Sequence, residues 1–332
     1  MRLWMCGFEQ GSTGVFTSVT GTPTISTSRL RTGLRSFYTV GAGNYAQKTF
    51  SVAGVVEVYS RIAVNFPSDG VGNGYFATFR DSGGTGQITL GRDALGKLTV
   101  FRGTTLIATG SIVMSLDVFY CIEVYLKIAD SGGRVLAKID GVSDTIDFTG
   151  DTKQSTLAEV AMLRLGTSVP GDYIACYFDD VAVNDVSGAV NNTWPGQGGI
   201  VALFPSEPGE YDEWTPSTGA NWDCVEEAPP SDANYVSSAT SAKKDSYGMP
   251  AMPGPGVISA VCWWARAKKD GAGDKNFKRL LRIGGTDYES AAVTLSTSIA
   301  YYSEILEASP VVPNDPWTVV EVDGMDVGAS VA

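Results

Sequence analysis

Between Val56 and Asn65 the side chains alternate in character, and no other stretch constrains the fold as strongly. Val56, Val58, Ser60, Ile62 and Val64 fall on one side of an extended backbone, while Glu57, Tyr59, Arg61, Ala63 and Asn65 fall on the other. A period of two marks a strand with one face in a core. Shorter runs of this kind recur at Leu3–Phe8, Thr22–Ser28, Leu34–Val40, Tyr75–Arg80, Gln87–Gly91, Leu98–Arg102, Val160–Leu165 and Tyr173–Asn184. Val118–Ala129 and Arg134–Asp140 flank Asp130-Ser-Gly-Gly133, whose glycines suit a hairpin turn. Many strands at this spacing, with 39 glycines and no long helical stripe, predict an all-β protein built from sandwiches.

The chain of 332 residues is long enough for two cores. The sequence predicts one module over residues 1–188, a linker rich in Gly, Asn and Pro over 189–199, and a second β-rich module over 200–332. In the second module Ile200–Phe204, Val257–Ala267, Arg279–Ile283 and Ala291–Leu295 read as strands. Thr318 and Glu321 form a capping-box signature for a short C-terminal helix, expected to stop near Gly324 or Gly328.

The chain contains no histidine, which removes the commonest general base and every Ser-His or Cys-His nucleophile. Five scattered cysteines form no C-x-x-C pair and read as small buried thiols. The Gly-rich stretches near residues 70–74 and 83–86 do not lead into a helix, so they read as hairpin loops and not phosphate cradles. No apolar run approaches the ~20 residues of a membrane span, and the start of the sequence carries no secretory pattern, so synthesis in a cytoplasm is expected.

The net charge of −12 is uneven, with 15 basic and 17 acidic side chains before residue 191 and 9 against 19 after it. Such a chain lacks the positive field a nucleic-acid backbone requires. Glu207, Glu210, Asp212 and Glu213 open an acidic stretch, whereas Arg266, Lys268, Lys269, Lys275, Lys278 and Arg279 form a basic one that contains only Asp270 and Asp274 as acids. Opposite patches can neutralise each other within a module or orient identical subunits against one another. Trp263 and Trp264 are adjacent on a strand, so one belongs to a core and the other needs a cover, such as an interface.

Two further residue sets invite ligands. Trp194, Tyr211, Trp214, Trp222 and Tyr235 lie in polar loops, where aromatic rings either stack on sugars or anchor the loops. Asp179, Asp180, Asn184 and Asp185 supply hard oxygen donors of the kind Ca2+ takes, although Asp179 and Asp180 face opposite sides of a regular strand and need a bulge to meet. Glu57 and Glu123 read as isolated, solvent-facing acids, and no cofactor is expected.

The set Gly7-Phe8-Glu9, Glu123-Val-Tyr-Leu-Lys-Ile128, Ile139-Asp140-Gly141 and Phe178-Asp179-Asp180-Val181-Ala-Val-Asn184-Asp185 resembles the concanavalin A-like (laminin G-like) jelly roll found in tailed-bacteriophage structural proteins. The segments Trp214-Thr-Pro, Trp222-Asp-Cys-Val-Glu-Glu227, Asn234–Thr240, Asp245-Ser-Tyr247 and Pro316–Gly328 resemble a domain common in tailed-phage virion proteins. The resemblance implies a virion component, on the outside of a capsid or tail, that associates with itself and with the shell. The same architecture as a glycan-binding adhesin is the alternative. Hydrolases with this jelly roll carry a Glu-x-Asp-x-x-Glu strand. The nearest approach here, Glu321-Val-Asp323-Gly-Met-Asp326, ends in Asp and falls in the expected helix, so no enzyme activity is expected.

Overall fold

The strand Glu57–Asn65 sits at the middle of a sheet, with both faces buried from Ser60 onward. The computed structural model describes all residues of 1–332 except Asp274 and Pro313. Among the described residues the chain is all-β apart from two 3-10 turns and one helix, and it divides into two compact units, Met1–Ile200 and Val201–Ala332.

The first unit is a two-sheet sandwich of jelly-roll type. One sheet runs Val142–Gly150, Gly133–Ile139, Phe119–Lys127, Glu57–Asn65, Cys176–Asp185, Ser36–Thr39, Thr24–Ser26, with Arg2–Cys6 also on Cys176–Asp185. The other runs Thr105–Val113, Lys97–Arg102, Gly86–Arg92, Tyr75–Arg80, Met162–Thr167, Asn44–Thr49, Ser18–Thr20. Every pairing is antiparallel. The expected hairpin holds register from Lys127 opposite Arg134 to Ile122 opposite Ile139, and Gly132 takes the left-handed conformation at its tip (φ 69°).

Between the sheets lies one apolar core, to which Val58, Ile62 and Val64 contribute. At one end Phe8, Phe16, Phe37 and Phe178 form a chain of ring contacts with centroids 4.8–6.1 Å apart, fully or nearly fully buried. The strands Asn44–Thr49, Thr105–Val113 and Val142–Gly150 were not legible in the sequence. Two of them form sheet edges and carry polar residues at many positions, so their apolar alternation is diluted.

In the second unit a sheet runs Glu207–Asp212, Lys244–Gly248, Met325–Val331, Asn276–Ile283, Thr286–Glu289, with Val293–Thr294 also on Asn276–Ile283. The ribbon of Val261–Ala267 with Ala300–Leu306 packs against it, with Trp263 on Phe277 and Tyr302 edge-on to Phe277. Ile200–Phe204 forms no strand. Its first N–H is taken instead by Asp180, and Leu203 packs on the second core. The capping box at Thr318 and Glu321 is present, and the short helix it starts, Val319–Asp323, stops at Gly324 as expected. From Met325 the chain is the central strand of the sheet, because Met325, Val327 and Ala329 alternate into the core.

Candidate functional site

The second sheet of the first unit presents a polar outer face. Alternation sends Ala46, Ala77, Phe79, Leu163, Leu165, Ile88 and Leu90 inward, all fully buried. It leaves Gln47, Arg164, Thr78 and Thr89 outward, as direct cross-strand partners in one row over four strands. These four side chains are only half-buried. Tyr45 flanks the row, its ring centroid 3.9 Å from the Arg164 guanidinium. Arg80, opposite Met162, lies diagonal to Arg164 on the neighbouring strand and the same face.

The polar atoms of this row are oriented by one another. Arg80 Nη1 donates to Gln47 Oε1 at 2.6 Å, and its Nη2 donates to the Gly84 carbonyl. Arg164 Nη1 donates to Ser168 Oγ at 2.8 Å, while its buried Nε has no partner. The Thr78 and Thr89 hydroxyls are 3.2 Å apart. Among the described residues neither arginine forms an ion pair with a carboxylate. Asp81, next to Arg80, spends its oxygens on Thr85 N, Ser155 Oγ and Gln87 Nε2. Burial, and then the Arg80 charge, bring the Arg164 guanidinium down to about 10. None of this row was singled out in the sequence. The available signal was arginine at alternate positions of otherwise apolar strands, Thr78-Phe79-Arg80 and Leu163-Arg164-Leu165.

The outer face of the first sheet is covered around Glu123 and Arg61. Glu123, expected at the surface, is buried and accepts from Gly196 N at 2.7 Å. Arg61 is buried and donates to the carbonyls of Asp180 (2.7 Å) and Gly196 (3.1 Å). Arg31 donates to the carbonyls of Gln197 and Gly198, and Trp194 packs on Tyr59 with Lys138 Nζ 4.2 Å over its ring. The segment read as a linker, 189–199, is therefore a strap on the first unit, held by backbone carbonyls whose partners are far away in sequence.

The four oxygen donors proposed for Ca2+ are spent on the protein itself. The strand Cys176–Asp185 does shift register between Asp179 and Ala182, and Asp180 is left-handed (φ 48°). That bulge turns both carboxylates toward the same loop. Asp179 Oδ2 accepts from Arg31 N and Thr32 N, and Asp180 accepts from Arg31 Nη1, Thr32 Oγ1 and Ile200 N. Asn184 accepts from Arg2 Nε, and Asp185 holds the N-terminal ammonium at 2.6 Å. Among the described residues no three His, Cys, Asp or Glu side chains could hold a metal ion.

In the second unit much of the basic stretch is neutralised locally. Arg279, taken as an interface residue, is buried and forks onto Glu304 (Nε to Oε2 2.8 Å). Lys278 pairs with Glu289, Arg266 with Asp232, and Lys269 donates to the Gly273 carbonyl. Glu210 pairs with Arg282 and Glu213 with Lys243. Lys268, Lys275, Glu207 and Asp212 stay exposed, and Asp274 lies outside the described residues. Trp263, also an interface candidate, is the core member of its pair, while Trp264 is half-buried against Tyr301.

The remaining aromatic candidates are mostly anchors. Tyr211 donates to Asp287 at 2.7 Å beneath Lys244 and Arg282. Burial pushes Asp287 upward, but hydrogen bonds from Lys244, Tyr211 and Arg282 overcome it and hold the carboxyl at about 2. Trp214 donates to the Lys243 carbonyl, and Trp222 sits half-buried in a 3-10 turn. Tyr235 alone of the five is exposed.

No protein-family model matches the chain, and no curated protein does. Among solved structures the chain is similar to the cellulose induced protein Cip1, at 17% identity and a TM-score of 0.42, over 59% of this chain and 100% of that one. It is similar to a carbohydrate esterase from the Shiga toxin-encoding bacteriophage phi24B, at 16% identity and a TM-score of 0.41, over 55% and 97%. It is also similar to domain 4 of AbnA, an extracellular arabinanase of Geobacillus stearothermophilus, solved with arabinotriose, at 13% identity and a TM-score of 0.38, over 55% and 91%.

Proposed function

We propose that this chain is a non-catalytic glycan-binding protein and that its binding surface is the outer face of the second sheet in the first unit. The observation that carries the reading is the cross-strand row of Gln47, Arg164, Thr78 and Thr89 beside the Tyr45 ring. A sugar needs directional donors and acceptors for its hydroxyls, together with an apolar ring face. The row offers an amide, two hydroxyls, a guanidinium and a phenol on rigid strands. It contains no carboxylate to protonate a leaving group or attack an anomeric carbon, which favours holding a glycan over cleaving it. A place on the outside of a phage capsid or tail belongs to the same proposal. It is supported by the sequence resemblance of residues 200–332 and is checked by mass spectrometry of purified particles. Self-association guided by charge has less support, because Arg279 and Lys278 already have partners.

The test is a glycan array followed by calorimetry with the full chain. Binding that is reproducible and weakened at least about tenfold by Gln47→Ala or Thr78→Val supports the reading. Absence of binding to every glycan overturns it, as does release of new reducing ends from a bound glycan.

A further inference from the structure

The row described above holds an electrostatic arrangement that neutral sugars do not require. Arg80 and Arg164 carry like charges on adjacent strands of one face, and neither has a carboxylate partner among the described residues. Five other arginines of this unit are matched with carboxylates, Arg29 with Asp117, Arg31 with Asp180, Arg92 with Asp69, Arg102 with Asp151 and Arg134 with Asp147, and buried Arg61 is held by two backbone carbonyls. The chain has acids to spare, at 36 against 24 bases, so the missing partner does not reflect a shortage.

The two side chains are also pre-oriented. The Tyr45 ring lies under the Arg164 guanidinium and Ser168 holds its Nη1, while Gln47 and the Gly84 carbonyl hold Arg80. Arg164 Nε remains without a partner. A half-buried pair of guanidiniums that repel each other is relieved by an anion, and a planar carboxylate matches the flat Arg fork with two parallel bonds. The overall charge of −12 opposes long-range attraction of polyanions, so recognition has to come from this local geometry.

We propose that Arg80 and Arg164 are the acid-recognising subsite of the glycan surface, taking the carboxylate of an acidic sugar such as a uronic or sialic acid residue. This rests on the glycan-binding reading and narrows it to carboxylated glycans.

The experiment is calorimetry with oligogalacturonate and oligosialic acid, the methyl esters of both, a sulfated oligosaccharide and neutral galactan. The proteins compared are the full chain and its Arg164→Gln, Arg164→Lys and Arg80→Gln variants, with circular dichroism and Tm confirming that each is folded. The expected result is binding of at least one carboxylated oligosaccharide, weakened about 10- to 100-fold by esterification and by each Gln variant, with Arg164→Lys restoring only part. Which of the two carboxylated ligands binds identifies the source. Should Arg164→Gln fail to fold, Arg80→Gln and the esters carry the test. Preference for neutral galactan, unchanged by either arginine substitution, overturns the subsite and leaves the glycan reading standing. Equal binding of the sulfated ligand overturns the carboxylate assignment. Binding of none of them, with an array that is also blank, overturns both.

Discussion

Glu123 Oε1 accepts a hydrogen bond from the backbone N–H of Gly196 at 2.7 Å, across 73 residues of chain. The same peptide segment returns its Gly196 carbonyl to Arg61, so a buried acid and a buried base on adjacent strands are both satisfied by one strap. The strap that buries the two charges also supplies each of them with a hydrogen bond, which offsets part of the cost of desolvating them.

Glu123→Ala is therefore expected to destabilise the first unit by about 1–3 kcal/mol, because it removes the acceptor of the half-buried Gly196 N–H from a buried position. Glu123→Gln, which keeps an acceptor oxygen, is expected to cost less. Urea denaturation checks both, and equal stability of Glu123→Ala and the wild type would reject the strap.

Asp179 makes stability depend on pH. Burial and then the neighbouring Asp180 raise its carboxyl from 3.8 to about 7, against the pull of three backbone N–H groups. The folded state thus holds the proton more tightly than the unfolded chain. The group's contribution is most favourable below about pH 4, declines as pH rises and is fully lost above about pH 7. The unfolding free energy of the wild type relative to Asp179→Asn is expected to fall across that window, by at most a few kcal/mol at ~1.4 per unit. A difference that is flat from pH 4 to pH 8 would show that Asp179 does not titrate there.

Arg279 and Lys278 are neighbours with opposite prospects. Arg279 is 6% exposed and doubly bonded to Glu304, whereas Lys278 is 34% exposed beside Glu289. Arg279→Ala is expected to cost about 2–3 kcal/mol, as charge-assisted bonds of a buried group do. Lys278→Ala is expected to cost under about 1 kcal/mol, as for other surface pairs. Thermal unfolding of the second unit separates them, and similar losses would contradict the assignment of Arg279 to the interior.

Phe37 touches Phe8, Phe16 and Phe178 and is fully buried. Phe37→Ala is expected to cost about 3–5 kcal/mol and Phe37→Leu clearly less, because Leu leaves the smaller cavity. Denaturation midpoints at unchanged m-value check this. A loss under about 1 kcal/mol would mean that the cluster closes around the gap.

What the sequence determined alone was local. Period-two alternation identified Glu57–Asn65 and its hairpin neighbours, because side-chain direction along a strand needs no partner to define it. Thr318 and Glu321 marked a helix start for the same reason, since a capping box closes within four residues. Everything that depended on what crosses a sheet face was decided by the tertiary structure. Glu123 and Arg61 look like surface charges until the strap covers them. Asp179 and Asp180 look like ion ligands until a bulge hands their oxygens to Arg31 and Thr32. Gln47, Arg164, Thr78 and Thr89 lie far apart in the sequence and become one row only when antiparallel register aligns four strands. Register is set by long-range burial of the opposite face, which no short window of residues contains.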